Sequence, residues 1–192
     1  MFELFVVKNF LDEATRRAVV AELRAGVGGP ATVYGKAAAG AVEPLVRRVT
    51  RVNVSPETRR LVARLLDGRR GEIGEHFGEA VGGCEEPQFL RYGAGDFFVA
   101  HQDGNTPLVH DDSRFRRVSA VVFLSPQSDE PAPGAYGGGS LVLYGPRTNP
   151  DLRHPVAAEP GTLVAFRSET THEVTPVLHG ERYTIASWYR TA

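Results

Sequence analysis

Arg91-Tyr92-Gly93-Ala94-Gly95-Asp96-Phe97-Phe98-Val99-Ala100-His101-Gln102-Asp103 is the stretch from which the rest of the chain can be organised. An apolar run, Gln88 to Tyr92, meets the turn-forming residues Gly93, Gly95 and Asp96, and a second run, Phe97 to His101, follows. Short apolar runs punctuated by Gly and Asp predict strands. Side chains two residues apart on a strand point to the same side. His101 and Asp103 are therefore expected to face one cavity and to be able to grip one ion. The pair alone is a weak signal, because His110-x-Asp112 repeats it. That copy lies in the polar segment 105–116, where no apolar alternation fixes its geometry. A metal site needs a rigid, packed support, so the first copy is the better candidate.

One imidazole and one carboxylate make two-thirds of the facial triad of non-haem Fe(II) oxygenases, which requires a second histidine and open coordination positions. His172 stands near the start of a later strand, after Pro160-Gly161 and the run Thr162 to Phe166, and Arg182 comes ten residues further on. His179-Gly180-Glu181 predicts a hairpin with a three-residue loop, a common type when it contains Gly. Arg182 would then oppose Leu178, and His172 would oppose Trp188. In that register the even-numbered residues of both strands share a side. His172 and Arg182 would line one cavity, about six residues apart at ~3.3 Å each. Arginine suits the far end of such a cavity, since its planar fork takes a carboxylate through two parallel hydrogen bonds.

Outward from this stretch, the texture changes at Gly82-Gly83. From Pro87 onward come eight short runs: Gln88 to Tyr92, Phe97 to His101, Arg117 to Leu124, Ser140 to Tyr144, Val156 to Ala158, Thr162 to Phe166, His172 to Leu178 and Arg182 to Tyr189. Such spacing predicts a sandwich or jelly-roll barrel. Before it the pattern is helical. Asp12 caps a helix through about Ala25, with Ala18, Val19 and Leu23 toward a core and Gly26 as its stop. Ser55 caps a second, with Pro56 at its first position, Leu61, Val62, Leu65 and Leu66 on one face, and Gly68 at its end. Ile73 and Phe77, four apart, suggest a third. Neither a fixed-period repeat nor a linker divides the chain, so residues 1–192 are expected to form one domain, with 1–82 as helical support and 87–190 as the β core.

Composition bounds the function. The 192 residues are 42% hydrophobic and 23% charged, with a net charge of −1. No general attraction to nucleic acid or an anionic membrane follows. Basic clusters at Arg47-Arg48 and Arg114 to Arg117 read as solvated faces. The single cysteine, Cys84, excludes an intramolecular disulfide and thiolate metal clusters and suits a reducing cytosol. Residues 1–10 lack a cationic start and carry Glu3 and Lys8, a poor signal peptide. No apolar stretch is long enough to span a bilayer. A cytoplasmic chain without membrane or nucleic-acid partners is the expectation; the oligomeric state is open.

The ordered pattern Tyr92-x-x-Gly95-x-x-Phe98-x-x-His101-x-Asp103, Gly138-Gly139-x-Leu141, Pro160-Gly161, His172-x-x-x-Pro176, Arg182 and Trp188 resembles the 2-oxoglutarate/Fe(II) dioxygenase superfamily, and within it the prolyl 4-hydroxylase-like branch. The resemblance covers residues 87–190, and Asn9-Phe10-Leu11 before the first helix looks like the entry helix of that branch. It implies a mainly β fold, a double-stranded β-helix (jelly-roll) with the N-terminal helices packed outside. It implies His101, Asp103 and His172 as iron ligands and Arg182 as the partner of the distal carboxylate of 2-oxoglutarate. Tyr92 would add a hydroxyl hydrogen bond to the cosubstrate, and Trp188 would pack beside the site. The implied cofactor is Fe(II), with 2-oxoglutarate as cosubstrate and ascorbate as an accessory reductant. The implied reaction consumes dioxygen, hydroxylates a C–H bond of a prolyl or related residue in a peptide, protein or free amino acid, and releases succinate and CO2.

Phe98 and Phe123 depart from the pattern, standing where relatives often carry a tyrosine hydroxyl. Arg182 is the form of the oxygen-sensing-type and many bacterial members, where collagen-type members often have lysine. Asp103 speaks against a halogenase, which needs that coordination position for halide. Two other readings stay open: a non-catalytic jelly-roll that binds a metal or ligand, and the same chemistry on a small molecule. His76, His154 and His179 have no partners at useful spacing and read as structural or solvent-facing. Gly137-Gly138-Gly139 is a turn and not a phosphate loop, since no Gly-Lys-Ser/Thr follows. The long loops 104–116 and 125–139 are candidate lids.

Overall fold

The computed structural model describes residues 2–32, 42–106, 111–146, 148–157 and 159–192. The N-terminal part of the chain contains β1 (Phe5–Val7), α1 (Glu13–Ala25), β2 (Gly28–Pro30), β3 (Arg47–Arg48), β4 (Thr50–Val52), α2 (Pro56–Asp67), α3 (Arg70–Phe77) and β5 (Val81–Cys84). The remainder is β6 (Gln88–Tyr92), β7 (Phe97–His101), β8 (Arg116–Phe123), β9 (Gly137–Gly138), β10 (Leu141–Tyr144), β11 (Arg153–Pro155), β12 (Leu163–Arg167), β13 (His172–Val174), β14 (Val177–His179) and β15 (Arg182–Thr191).

These strands build a large antiparallel sheet in the order β1-β12-β8-β15-β6-β4-β2, with β5 also on β15, and a smaller one in the order β11-β10-β13-β7-β3. A two-stranded ribbon joins β14 to β9. A cavity lined from both sheets lies between them, the arrangement of a jelly-roll.

The period-two alternation sorts the large sheet into two faces. Val118, Ala120 and Val122 of β8, Phe89 of β6, and Tyr183, Ile185 and Tyr189 of β15 share one core with the helices. The intervening residues, Ser119, Tyr92, Arg182, Thr184 and Trp188, line the inner cavity. α1 and α2 begin at side-chain caps. Asp12 accepts from the Thr15 amide at 2.8 Å and Ser55 from the Thr58 amide at 3.2 Å, satisfying amides that have no intrahelical partner. Val19, Leu23, Val62, Leu66, Ile73 and Phe77 are buried against the sheet. Ala18 is exposed, and Val20 packs on the core in its place. Leu61 lies at the rim, 36% exposed.

Several expectations need correcting. Residues 1–82 are not only helical support, because β1 to β4 and the start of β5 fall there. β1 pairs with β12 at one edge of the large sheet, β4 with β6 toward the other, and β3 with β7 in the small sheet. These strands run two to four residues, too short to show periodicity, and take their hydrogen bonds from edges that already exist.

The expected hairpin between His172 to Leu178 and Arg182 to Tyr189 does not form. The first run splits into β13, which pairs with β10 and β7, and β14, which pairs with β9. β15 pairs instead with β6, β8 and β5. The break falls at Thr175-Pro176, where proline offers no amide to a ladder. There the Thr175 amide donates to the Ser140 carbonyl and the Val177 amide to that of Asp96.

The run Val156 to Ala158 is displaced. The strand is Arg153–Pro155, paired with β10, while Val156 is buried in the core between the sheets; Ala158 lies outside the described residues. So does His110, and with it the geometry of the second His-x-Asp copy. Two of the three glycines expected as a turn form β9. At Gly138 a positive φ of 65° and the Pro176 carbonyl, 2.4 Å from where a Cβ would stand, leave room only for glycine. Among the described residues no helix is long and apolar enough to cross a membrane.

Candidate active site

His101 ends β7 and His172 begins β13, and the two are directly opposed across the ladder that joins these strands. Asp103 lies just beyond β7, where its amide and that of Gly104 both donate to the Ser168 carbonyl, at 2.9 and 3.2 Å. One ligand atom from each of His101, Asp103 and His172 falls within 4.8 Å of the others. The His101 and His172 Nε2 atoms are 3.5 and 3.4 Å from the two carboxylate oxygens of Asp103.

The histidine tautomers follow from their hydrogen bonds. His101 Nδ1 lies 2.8 Å from the Val99 carbonyl, and His172 Nδ1 lies 2.9 Å from that of Thr170. A carbonyl only accepts, so each Nδ1 carries the proton and each Nε2 presents a lone pair to the shared space. Ring contacts hold both imidazoles. Phe98 stacks on His101 with centroids 3.5 Å apart, and Phe166 meets His172 edge-on at 4.9 Å.

Burial by itself would raise the Asp103 carboxyl, but the two imidazoles and a hydrogen bond from Ser119 outweigh it and hold the group well below the ordinary carboxylate range. Burial, with His101 beside it, depresses His172 to about 4, which keeps it neutral and available as a ligand. Ser119 on β8 donates to the second Asp103 oxygen at 2.7 Å and is itself 3.0 Å from the Ser168 hydroxyl.

Arg182 lines the same cavity as the three ligand side chains and is 2% exposed. One terminal nitrogen reaches the Thr184 hydroxyl at 3.2 Å, its Nε has no partner, and among the described residues no carboxylate pairs with it. Its guanidinium carbon lies 4.9 Å from the Tyr92 ring centre and 5.8 Å from that of Phe123. Tyr92 is its direct cross-strand partner, and Trp188 borders the cavity opposite Ser119. His172 and Arg182 thus share one cavity as expected, but by facing each other from opposite sheets and not by sharing a hairpin.

The residues fit an Fe(II) ion and a 2-oxo diacid. Two neutral imidazoles and one ionised carboxylate on one side of a cavity leave further coordination positions open. A buried guanidinium without a counter-charge awaits an anion. Sequence reasoning missed Ser119, whose only signal is its place as the lone polar residue in the run Val118 to Phe123, and Ser168, which has none. It also placed Arg47 and Arg116 on solvated faces. They are 8% and 7% exposed and line cavities at the triad.

The family model of the 2OG-Fe(II) oxygenase superfamily matches residues 87–190, more than half of the chain. The chain is 34% identical over 179 residues to a PKHD-type hydroxylase of Paracoccus denitrificans, covering 88% of this chain and 71% of that protein. It is 30% identical over 146 residues to one of Cupriavidus pinatubonensis, covering 73% of this chain and 57% of the relative. Among solved structures, a Pseudomonas putida prolyl-4-hydroxylase aligns with a TM-score of 0.74 at 25% identity, over all of this chain and 94% of that one. The Trichoplax adhaerens prolyl hydroxylase, in complex with a hypoxia-inducible-factor peptide, aligns with a TM-score of 0.76 at 18% identity, over 99% of this chain and 84% of that one, and speaks to the fold alone. The matched segment includes His101, Asp103, His172 and Arg182, and the chain belongs to the 2OG-Fe(II) oxygenase superfamily, the enzymes that use Fe(II), 2-oxoglutarate and dioxygen.

Proposed function

We propose that this chain hydroxylates a C–H bond of a prolyl or related residue in a peptide or protein. In this reading His101, Asp103 and His172 hold Fe(II), and Arg182 takes the distal carboxylate of 2-oxoglutarate. The observation that carries it is the convergence of three ligand atoms within 4.8 Å in a cavity that also holds an unpaired, buried guanidinium. Fe(II) held by these residues would activate dioxygen, the oxidant of the reaction, with 2-oxoglutarate consumed and succinate and CO2 released.

The protein's own work is orientation and exclusion of water. The Val99 and Thr170 carbonyls aim the two imidazoles, Ser119 and the Ser168 carbonyl fix the carboxylate and its backbone, and Leu141, Val174 and Leu90 make the wall apolar. Arg182 would set the cosubstrate's direction, with the Tyr92 hydroxyl as a second hydrogen bond and Trp188 as packing beside it. The hydroxylase reading is supported by the PKHD-type hydroxylase relatives, and the prolyl substrate by the likeness to the Pseudomonas prolyl-4-hydroxylase. Of the two candidate lid segments, 104–116 reaches the triad through its described residue Ser113, which borders a cavity there, and its described residues are themselves tied by hydrogen bonds from the Gly104 amide to the Ser168 carbonyl and from the Ser113 amide to Asp111. The loop 125–139 is tied by hydrogen bonds from the Ser128 amide to the Tyr136 carbonyl and from Gln127 to Gly138 and Ser140.

Anaerobic titration of the Fe(II) protein with 2-oxoglutarate tests the metal and cosubstrate roles through the visible charge-transfer band of the chelate. Succinate release stimulated by prolyl peptides tests the substrate. Absence of iron binding, or no stimulation by any prolyl peptide or free proline, would overturn the respective half.

A further inference from the structure

A second buried guanidinium lines the site, carried by the small sheet where Arg182 is carried by the large one. Arg47 lies on β3, the outermost strand of the small sheet, paired with Phe98 of β7. It is 8% exposed and lines both the cavity that holds the triad and Arg182 and an adjoining cavity of about 160 Å3. The adjoining cavity is bordered by His101, Asp103, Gln102, Ser113, Arg116 and Trp188. The Arg47 guanidinium lies 4.8 Å from the centre of the Phe98 ring, whose other neighbour is His101 at 3.5 Å. Arginine, phenyl and ligand imidazole thus form one continuous stack.

The two arginines of this cavity differ in their charge balance. Arg116 is neutralised by Glu85, with contacts of 2.9 and 2.7 Å. Arg47 meets only neutral acceptors, the Thr32 carbonyl at 2.9 Å and the Gln88 amide oxygen at 3.4 Å, and its Nε has no partner. Among the described residues no carboxylate pairs with it. Neutral acceptors satisfy donors without cancelling the charge, and a buried uncompensated charge is costly. If Fe(II) and Arg182 take the two ends of 2-oxoglutarate, neither of its carboxylates is left for Arg47.

We propose that Arg47 binds a carboxylate of the primary substrate, carried by the oxidised residue or its immediate neighbour. This rests on the function proposed above. The substrate class is then a free amino acid or a residue at or next to a C-terminus, whose α-carboxylate the arginine takes. The cavity is large enough for a group of amino-acid size, and the fork of Arg47 supplies the carboxylate recognition.

Trp188, the only tryptophan of the chain, lines both cavities and reports binding by its emission. The experiment titrates the anaerobic Fe(II) protein, saturated with 2-oxoglutarate, with L-proline and glycyl-L-proline, each against its C-terminal amide. In the native chain each acid should bind about tenfold or more tightly than its amide, the scale of a charge-assisted hydrogen bond. Arg47→Gln should remove that gap and leave the response to 2-oxoglutarate unchanged. Arg182→Gln should weaken the 2-oxoglutarate response and leave the gap. Equal binding of acid and amide, persistence of the gap in Arg47→Gln, loss of the 2-oxoglutarate response in that variant, or no response to any probe overturns the proposal. Failure of the native protein to respond to 2-oxoglutarate is a separate result, and it would count against the function on which the proposal rests.

Discussion

At the scale of single residues the proposed function divides the labour between metal and cosubstrate, and substitutions should separate the two. His172→Ala removes one of three ligands and should abolish iron-dependent succinate formation, measured with saturating 2-oxoglutarate. Arg182→Ala leaves all three ligands in place. It should raise the apparent requirement for 2-oxoglutarate far more than it weakens iron binding; equal losses would contradict the assignment. Ser119→Ala deletes the hydroxyl that donates to Asp103 at 2.7 Å. Partners of this kind are worth about 10–100-fold in metal affinity, so competition with a chelator should reveal a loss of that order while the affinity for 2-oxoglutarate changes little. That His101, Asp103, His172 and Arg182 belong to one cavity was legible in the sequence, because their residue identities carry the proposed chemistry. Ser119 and Ser168 were not, since a serine within an apolar strand is ordinary until something faces it.

At the scale of elements, helices were easier to read than strand partners. The α1 and α2 caps are local events, each closed by a side chain three residues from the amide it satisfies. Ser55 also joins two helices, because its hydroxyl and amide both bond to Glu22 of α1. Ser55→Ala should therefore cost about 1–2 kcal/mol, a melting-temperature loss of a few degrees measured by calorimetry, with the iron and cosubstrate affinities retained. Strand positions were also recognisable, within a residue or two for β6, β7, β8, β10 and β12, from alternation and turn residues. Pairing was not. The Gly180 turn looked like a hairpin between neighbours, yet β14 and β15 join different partners. Backbone hydrogen bonds are the same for every residue type, so a short strand carries little information about which edge it will meet.

For the whole molecule, the buried site couples stability to pH and to ligands. His172 falls from its ordinary 6.5 to about 4 on folding, so between those values the unfolded chain binds more protons than the folded one. Asp103, also lowered by folding, acts in the same direction at more acid pH. The metal-free protein should lose stability steadily as pH falls from about 6.5 toward 4, seen as a falling denaturation midpoint. A flat profile over that window would mean that His172 is not buried and neutral. By itself the sequence determined which residues to propose as metal ligands, which arginine to propose for the diacid, the helices and a β core, because these depend on residue identity and on spacing along a few neighbouring positions. Only the tertiary structure decided that His172 and Arg182 meet across two sheets, that Ser119 holds Asp103, and that Arg47 is buried without a counter-charge among the described residues. Those facts depend on which distant segments pack together, a matter settled by the shared exclusion of water from the whole core.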